Sequence, residues 1–475
     1  MLTIAVLSWP TLAQAIQPKI AWEDFDSLLL PARSRQLPPL TPLSFVVDTH
    51  CAAKKIHHLR PGGLLNSVLS EGAKFARAFE QYTVGVELDS AVSFDLIEQE
   101  VGQEKCVQLV GYDGEISINR VQNVELARAA DPGRPRQGHL SYLHFDQGIQ
   151  RIESVLMVRK PVTIAVIDAG IDMNHPDLAI GAWRNMREIG GNGRDDDRNG
   201  YVDDVIGYNF GSNIGNPSPQ VSGLEGSHGT HVAGLAAARW RNGVGGTGVG
   251  ITAKIMSINV FGTTKTTRSS VVENAIRYAG RNGADVINLS LSGGEFSRTM
   301  PLALRYAVSR GSFIVAATGN EGVKFKSLPT EGYFTSPAAY GAQISGMISV
   351  ASVDVETGSL SRFSNFNSAL TQLAAPGSTQ SFGEPVGLYS TFPRNSYSSL
   401  SGTSMAAPLV SGAAALVVGY LKACGITPSP GRVESILING SRMSPKLLPY
   451  VSGGKELDLA VLGNYLRSIK TGSCK

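Results

Sequence analysis

Three short segments, far apart in the chain, hold an acid, a base and a nucleophile. They are Val166-Ile167-Asp168-Ala169-Gly170, His228-Gly229-Thr230-His231 and Gly402-Thr403-Ser404-Met405-Ala406. A serine hydroxyl is a weak nucleophile at neutral pH. It needs a base beside it, and that base needs a carboxylate to fix its tautomer and stabilise its protonated form. Asp168, His228 and Ser404 supply these groups in the order Asp…His…Ser, one of several chain orders in which the constellation recurs. Each residue alone is commonplace; the glycines and small residues around all three make the set specific.

The flanks say where these side chains must sit. Met405 to Leu421 is a long run of small and apolar residues that predicts a helix, with Ser404 at its N-terminus, where exposed backbone N–H groups can stabilise an oxyanion. Pro408 is tolerable that close to a helix start. A second helix is expected over Gly229–Ala238, opened by His228. His231 lies about one turn further on and reads as a structural neighbour, as does His175. No His-Glu-x-x-His sequence occurs, so zinc-protease chemistry has no support.

Between Asp168 and His228 runs Asp195-Asp196-Asp197-Arg198-Asn199-Gly200-Tyr201-Val202-Asp203-Asp204. It fits the early positions of a D-x-[DN]-x-[DN]-G calcium loop, with Asp195, Asp197, Asn199, the Tyr201 carbonyl and Asp203 as ligands. Position twelve is Ile206 where that loop has a bidentate glutamate, so a structural Ca2+ would need a further donor.

The elements that carry these segments alternate. Val162–Ile167, Ile255–Val260, Val286–Leu289, Phe313–Ala316 and Ile348–Ala351 are apolar runs of strand type. Val271–Arg281 and Leu302–Ser309 have helical spacing between them. The pattern predicts an α/β fold, a doubly wound and mostly parallel sheet with helices on both faces. Asp168 then falls just past the end of the first strand, where sites in such sheets lie.

Residues 16 to 130 read differently, as a small α+β region. An irregular, proline-punctuated lead is followed by a strand at Tyr82–Leu88, a helix at Phe94–Gly102 and a strand at Cys106–Val110. The stretch from Ala129 to Arg136, rich in proline and arginine, reads as the linker to a catalytic domain over residues 131–475. Residues 1–15 resemble a secretory signal: Leu2–Leu12 is mostly apolar and Ala13-Gln14-Ala15 has the form of a cleavage site, although no basic residue precedes Lys19. Four cysteines suit an oxidising compartment; three connectivities, or buried free thiols, are all compatible with them. With 42 basic against 39 acidic residues, nothing points to a nucleic-acid or membrane partner.

The motifs together resemble the subtilisin-like serine proteases, or subtilases. Asp168-Ala169-Gly170-Ile171-Asp172 is similar to their aspartate motif, His228-Gly229-Thr230-His231-Val232-Ala233-Gly234 to their histidine motif, and Gly402-Thr403-Ser404-Met405-Ala406-Ala407-Pro408 to their serine motif. A fourth segment, Ala316-Ala317-Thr318-Gly319-Asn320-Glu321-Gly322, matches the turn that supplies the family's oxyanion asparagine, which makes Asn320 that residue here. The resemblance also implies that Ser290, Leu291 and Ser292 pair with a substrate strand, that Ala317, Thr318 and Gly319 line the pocket at the cleaved bond, and that Asp177 is a second calcium ligand. Ala169 and Ser292 depart from the family pattern, which has a hydroxyl residue and a glycine there. Sedolisin-type serine-carboxyl peptidases share the serine motif but replace the histidine by glutamate, so His228 speaks against them; a catalytically silent relative would lack a member of the set. The expectation is a monomeric endopeptidase of broad specificity, secreted or periplasmic. It would act on protein and peptide substrates and be made as a self-processing precursor inhibited by its own propeptide.

Overall fold

The computed structural model describes residues 134–156, 162–294, 297–381 and 387–469, with the strands at 36–37, 42–48, 81–87, 92–93, 107–112, 115–118, 122–127 and 384–385. The expected signal and the Phe94–Gly102 helix lie outside the described residues.

In the first third, β1 (Pro42–Asp48) is flanked by β2 (Gln81–Glu87) and β3 (Val107–Tyr112) and is antiparallel to both. β2 and β3 therefore run parallel to one another, the relation that a crossover connection produces. β1 corrects the reading of this stretch as irregular. After Pro42 the run Leu43-Ser44-Phe45-Val46-Val47 is apolar and β-branched, and a proline at the first position of a strand is tolerated. Two strands that were not expected follow, β4 (Glu115–Ile118) and β5 (Gln122–Ala127); both pair with distant parts of the chain.

The larger unit begins with α1 (Phe145–Leu156), β6 (Val162–Asp168), β7 (Gly207–Asn209) and α2 (Gly223–Ala237). It continues through β8 (Ala253–Asn259), β9 (Thr266–Arg268), α3 (Ser269–Arg281), β10 (Val286–Leu289), β11 (Leu291–Ser292), α4 (Met300–Ser309) and β12 (Phe313–Ala317). The last part holds β13 (Met347–Asp354), β14 (Leu373–Ser378), β15 (Leu388–Phe392), β16 (Ser396–Ser401), α5 (Thr403–Ala423), α6 (Pro430–Asn439), β17 (Arg442–Met443), β18 (Lys455–Glu456) and α7 (Leu459–Ser468). One sheet runs β17-β18-β14-β13-β12-β10-β6-β8-β7, with every neighbouring pair parallel except the β17–β18 edge.

Both faces are covered. On β6, Ile164 and Val166 join the core formed with α1, α2, α5, α6 and α7, while Ala165 and Ile167 join the opposite core with α3 and α4. This two-residue alternation is what a strand requires, and burial on both faces is why its sequence is continuously apolar. From β6 the chain moves to β7 and β8 on one side and then returns to β10 on the other. The C-terminal end of β6, occupied by Asp168, is thus the switch point of the sheet.

The two helices beside this point are held by packing more than by propensity. In α2 every residue from Gly226 to Ala237 is buried, and in α5 every residue from Thr403 to Leu421. α5 is long and apolar enough to cross a membrane, yet it lies wholly inside the protein core. α2 starts at Gly223, before the expected start at His228, which places His228 in its second turn. Its first turn, with Leu224 exposed, has no apolar periodicity to announce it.

Candidate functional site

Asp168 ends β6 and accepts hydrogen bonds from its neighbour's backbone and from a ring. The Ala169 N–H reaches Oδ1 at 2.7 Å, and His228 Nδ1 lies 2.9 Å from both Oδ1 and Oδ2. Both side chains are fully buried. The carboxylate can only accept, so Nδ1 carries the proton and Nε2 of the neutral ring presents its lone pair. That Nε2 is buried and has no hydrogen-bond partner. Gly229 permits this arrangement: a Cβ there would collide with the Gly170 carbonyl and lie 3.1 Å from the Asp168 side chain. Ala169 contributes through its backbone N–H, so a hydroxyl at that position is not needed for this contact.

Ser404 lies in the first turn of α5, whose residues share a core with those of α2. Its Oγ donates to the Ser290 carbonyl at 3.1 Å, and Ser290 Oγ donates back to the Ser404 carbonyl at 2.9 Å. Pro408 explains the second bond. Having no N–H, it cannot bond the carbonyl four residues earlier, which is that of Ser404, and the Ser290 hydroxyl takes that acceptor instead. Ser290 is held in turn by Asn288 Nδ2 at 2.9 Å, and Asn288 Oδ1 accepts from Ser411 Oγ at 2.8 Å. Asn288 and Ser411 were not singled out in the sequence; a polar residue in each otherwise apolar run was the available signal.

Asn320 follows β12. Its Oδ1 accepts from the Thr403 N–H at 2.8 Å and bonds Thr403 Oγ1 at 2.9 Å, while that Oγ1 accepts from the Gly319 N–H at 3.1 Å. With Oδ1 so engaged, the amide nitrogen is turned toward Gly402. A Cβ on Gly402 would lie 3.2 Å from Asn320 Nδ2 and 3.6 Å from the Ser404 backbone nitrogen. The missing side chain leaves a space that two N–H donors flank, the arrangement that stabilises a developing oxyanion. Asn365 braces the same turn, bonding the Thr318 carbonyl at 3.0 Å and the Glu321 and Val323 N–H groups at 3.1 and 3.0 Å. It too went unread in the sequence, lying some 45 positions away from what it holds.

The remaining segment expected to pair with substrate, Leu291–Ser292, is β11. It already carries a partner: β4 lies between β9 and β11, antiparallel to both, with Ser117 opposite Ser292 and Ile118 opposite Leu291. Ala317, Thr318 and Gly319 run from the end of β12 to Asn320, and all three backbone positions are buried. β5 continues along β16, with Gln122 opposite Ser401.

Two other histidines are structural, as expected. His231 Nε2 bonds the Leu388 and Ser398 carbonyls at 2.9 and 3.1 Å, and burial pushes this ring down to about 3. His175 accepts the Asp177 N–H on Nδ1, and its Nε2 lies 3.1 Å from the Ser396 carbonyl.

The acidic loop is organised differently from the expected ligand set. The Asp195 carboxylate accepts the Asn199 and Gly200 N–H groups at 2.9 and 2.8 Å. Asp203 accepts three, from Gly191, Asn192 and Gly193. The Asn199 side chain donates to Asp204, and the Tyr201 ring packs among Tyr208, Phe210 and Tyr278. Asp177 accepts from Asn242, Gly246 and Tyr397 and shapes the loop after Arg239. Among the described residues, the acidic groups that converge are Glu188, Asp197 and Asp204, with ligand oxygens within 4.8 Å of one another. Glu188 Oε2 is buried without a partner, and burial pushes the Asp204 carboxyl up to about 7. A buried oxygen with no donor, set among carboxylates, fits a hard divalent cation. Of the expected ligands only Asp197 belongs to this cluster.

Residues 159–452 match the family model described as the subtilase family. Over 254 residues the chain is 37% identical to thermitase of Thermoactinomyces vulgaris, covering 54% of this chain and 74% of that protein. It is 36% identical over 262 residues to the major intracellular serine protease of Bacillus subtilis, covering 55% and 69%. It is 35% identical over 265 residues to subtilisin-like protease 1 of Plasmodium falciparum, covering 54% of this chain but only 37% of that protein's length.

Proposed function

The chain belongs to the subtilase family, and we propose that it is a serine endopeptidase that cuts peptide bonds through an acyl-enzyme. One observation carries the reading: a fully buried His228, bonded to Asp168 through Nδ1, leaves Nε2 without a partner, on a helix that packs against α5, whose first turn holds Ser404. The Ser404 hydroxyl turns from the Ser290 carbonyl to Nε2, gives up its proton there and attacks the substrate carbonyl. The Asn320 amide and the Ser404 N–H stabilise the oxyanion. His228 returns the proton to the leaving amine, and water then hydrolyses the ester by the same proton path. Substrate enters as an added strand beside Leu291–Ser292, held by main-chain bonds that favour broad specificity.

The first third of the chain acts as an internal inhibitor and folding aid. β4 fills the strand position between β9 and β11, and β2 lies against α3. A large parallel sheet has high contact order and folds slowly, which gives such a helper a physical purpose. Glu188, Asp197 and Asp204 would hold a structural Ca2+, which would neutralise charge in the loop before α2 and takes no part in the hydrolysis. Secretion into an oxidising compartment is supported by Cys424, which is engaged in a disulfide.

The test is labelling by a fluorophosphonate probe. The processed protein should be modified once, at Ser404, and Ser404→Ala should be inert. Absence of modification in a folded, processed chain would sink the enzyme reading and leave a silent relative.

A further inference from the structure

Resting on the endopeptidase reading, we propose that Asn365 is a positioning residue for the hydrolysis, holding the Asn320 amide where the oxyanion forms. A donor lowers the barrier only if it already stands where the charge will develop, because moving it there during the reaction costs free energy. Asn320 lies outside any helix or strand. β12 ends at Ala317, and the chain then turns at Gly319, whose φ of 97° suits glycine. A turn of this kind is the mobile part of a fold unless other groups hold it.

Asn365 holds it, from the segment between β13 and β14. Its Nδ2 donates to the Thr318 carbonyl and to the Glu321 carboxylate, and its Oδ1 accepts the Glu321 and Val323 N–H groups. An amide side chain has two N–H bonds and two lone pairs, so this one is used to capacity. The backbone of the same residue adds two bonds: its N–H donates to the Gly319 carbonyl at 3.0 Å, and its carbonyl accepts from Thr318 Oγ1 at 2.9 Å. One residue thus grips the peptide group before Asn320, by the Gly319 carbonyl, and the peptide group after it, by the Glu321 N–H. Peptide groups are planar, so holding both sets the direction in which the Asn320 side chain leaves the backbone. Thr403 then fixes the rotation of the amide through Oδ1.

Asn365 is anchored in its turn. It is fully buried, and the segment before it is tied to β13. The Ser361 N–H donates to the Ser352 carbonyl at 2.9 Å, the Ser352 N–H donates to Ser364 Oγ at 2.9 Å, and that Oγ donates to the Asn365 carbonyl at 3.0 Å. Beyond it, the Phe366 N–H donates to the Val323 carbonyl at 3.1 Å and Asn367 Nδ2 to the Phe325 carbonyl at 2.7 Å. The turn that carries Asn320 is therefore referred to β13, a strand of the same sheet whose β6 carries Asp168.

The experiment is a double-mutant cycle on a peptide substrate, with sites counted by complete reaction with a fluorophosphonate so that only folded molecules enter the rate. Asn365→Ala should lower kcat by about 100-fold with KM nearly unchanged, the loss expected when a group at the reacting centre is misplaced by about 1 Å. Made in Asn320→Ala, the same substitution should cost less than about twofold more, because the amide through which it acts is gone. Asn365→Asp keeps an acceptor for the Glu321 and Val323 N–H groups and takes over the test if the alanine variant does not fold. Its loss in kcat should be smaller and should likewise vanish in Asn320→Ala. A loss that multiplies in full with that of Asn320→Ala, a rise in KM with kcat intact, or no loss at all overturns the proposal and leaves the endopeptidase reading standing. A folded wild type that neither hydrolyses peptide nor takes up the probe overturns that reading, and the proposal with it.

Discussion

The strand ends that carry Asp168 and Asn320 and the acidic loop before α2 were both flagged by side chains of the right type, yet they use them differently. His228 bonds Asp168 and Asn320 bonds Thr403 beside Ser404, whereas two of the loop carboxylates bond their own backbone. Asp168, His228, Asn320 and Ser404 come from four elements, and each is placed by a strand end or a helix. Asp195 and Asp203 sit in one continuous loop, where their nearest donors are backbone N–H groups of the loop itself. Short polar side chains in irregular backbone cap that backbone first. Glu188 and Asp197 also accept a loop N–H each, from Asp197 and Asn199, yet an oxygen of each converges with Asp204, which is drawn inward against Asn185 and Tyr278.

The largest expected effect sharpens the first half of that contrast. Ser404→Ala should lower peptide hydrolysis by about a million-fold, or about 8 kcal/mol, with unchanged thermal stability. Asn320→Ala comes next, with a loss of roughly 100- to 1,000-fold in kcat and little change in KM, measured on a peptide substrate. An equal loss from Asn288→Ala would show that positioning of Ser290, and not the oxyanion donor, sets the rate.

The loop supplies the third prediction. Calcium at about 100 times its Kd should stabilise the folded chain by about 2.7 kcal/mol, lost on chelation. In calorimetry with and without a chelator, Glu188→Gln should erase this response. Asp195→Asn should keep it while lowering stability by about 1 kcal/mol for the lost loop bonds. The reverse pattern would restore the ligand set expected from the sequence.

The fourth prediction concerns two buried histidines, one of them in α2 beside His228. Burial holds His231 and His139 at about 3, whereas in the unfolded chain each takes a proton near the ordinary value of 6.5. The unfolded state therefore binds more protons across that window. Each ring's contribution is intact above 6.5, and stability falls by about 1.4 kcal/mol per pH unit per histidine as pH drops from there toward 3. Denaturant titrations at pH 7, 6, 5 and 4, run on Ser404→Ala to prevent self-digestion, should show this slope reduced in His231→Gln.

Much of the molecule was legible because long-range order leaves periodic marks. The strands of the parallel sheet are buried on two faces and read as apolar runs, and α5 reads as an unbroken small-residue helix. The start of α2 was misplaced because its first turn faces solvent and carries no pattern. Pro42–Asp48 is hard to read as a strand because Pro38, Pro39 and Pro42 mark an irregular lead directly before its apolar run. Asn288, Asn365 and Ser411 escaped because their partners are remote in sequence, and a single polar residue announces no contact.

By itself the sequence determined the chemistry: an acid, a base, a nucleophile and an amide, in segments whose glycines and small residues leave few other uses for them. It also determined the alternation that makes a doubly wound sheet. The tertiary structure alone decided which carboxylates meet beside Asp197 and that Ser290 holds both ends of Ser404. It alone decided that Glu115–Ile118 pairs between Thr266–Arg268 and Leu291–Ser292. These are pairings between residues far apart in the chain, fixed by strand register and burial, and composition and spacing carry no record of them.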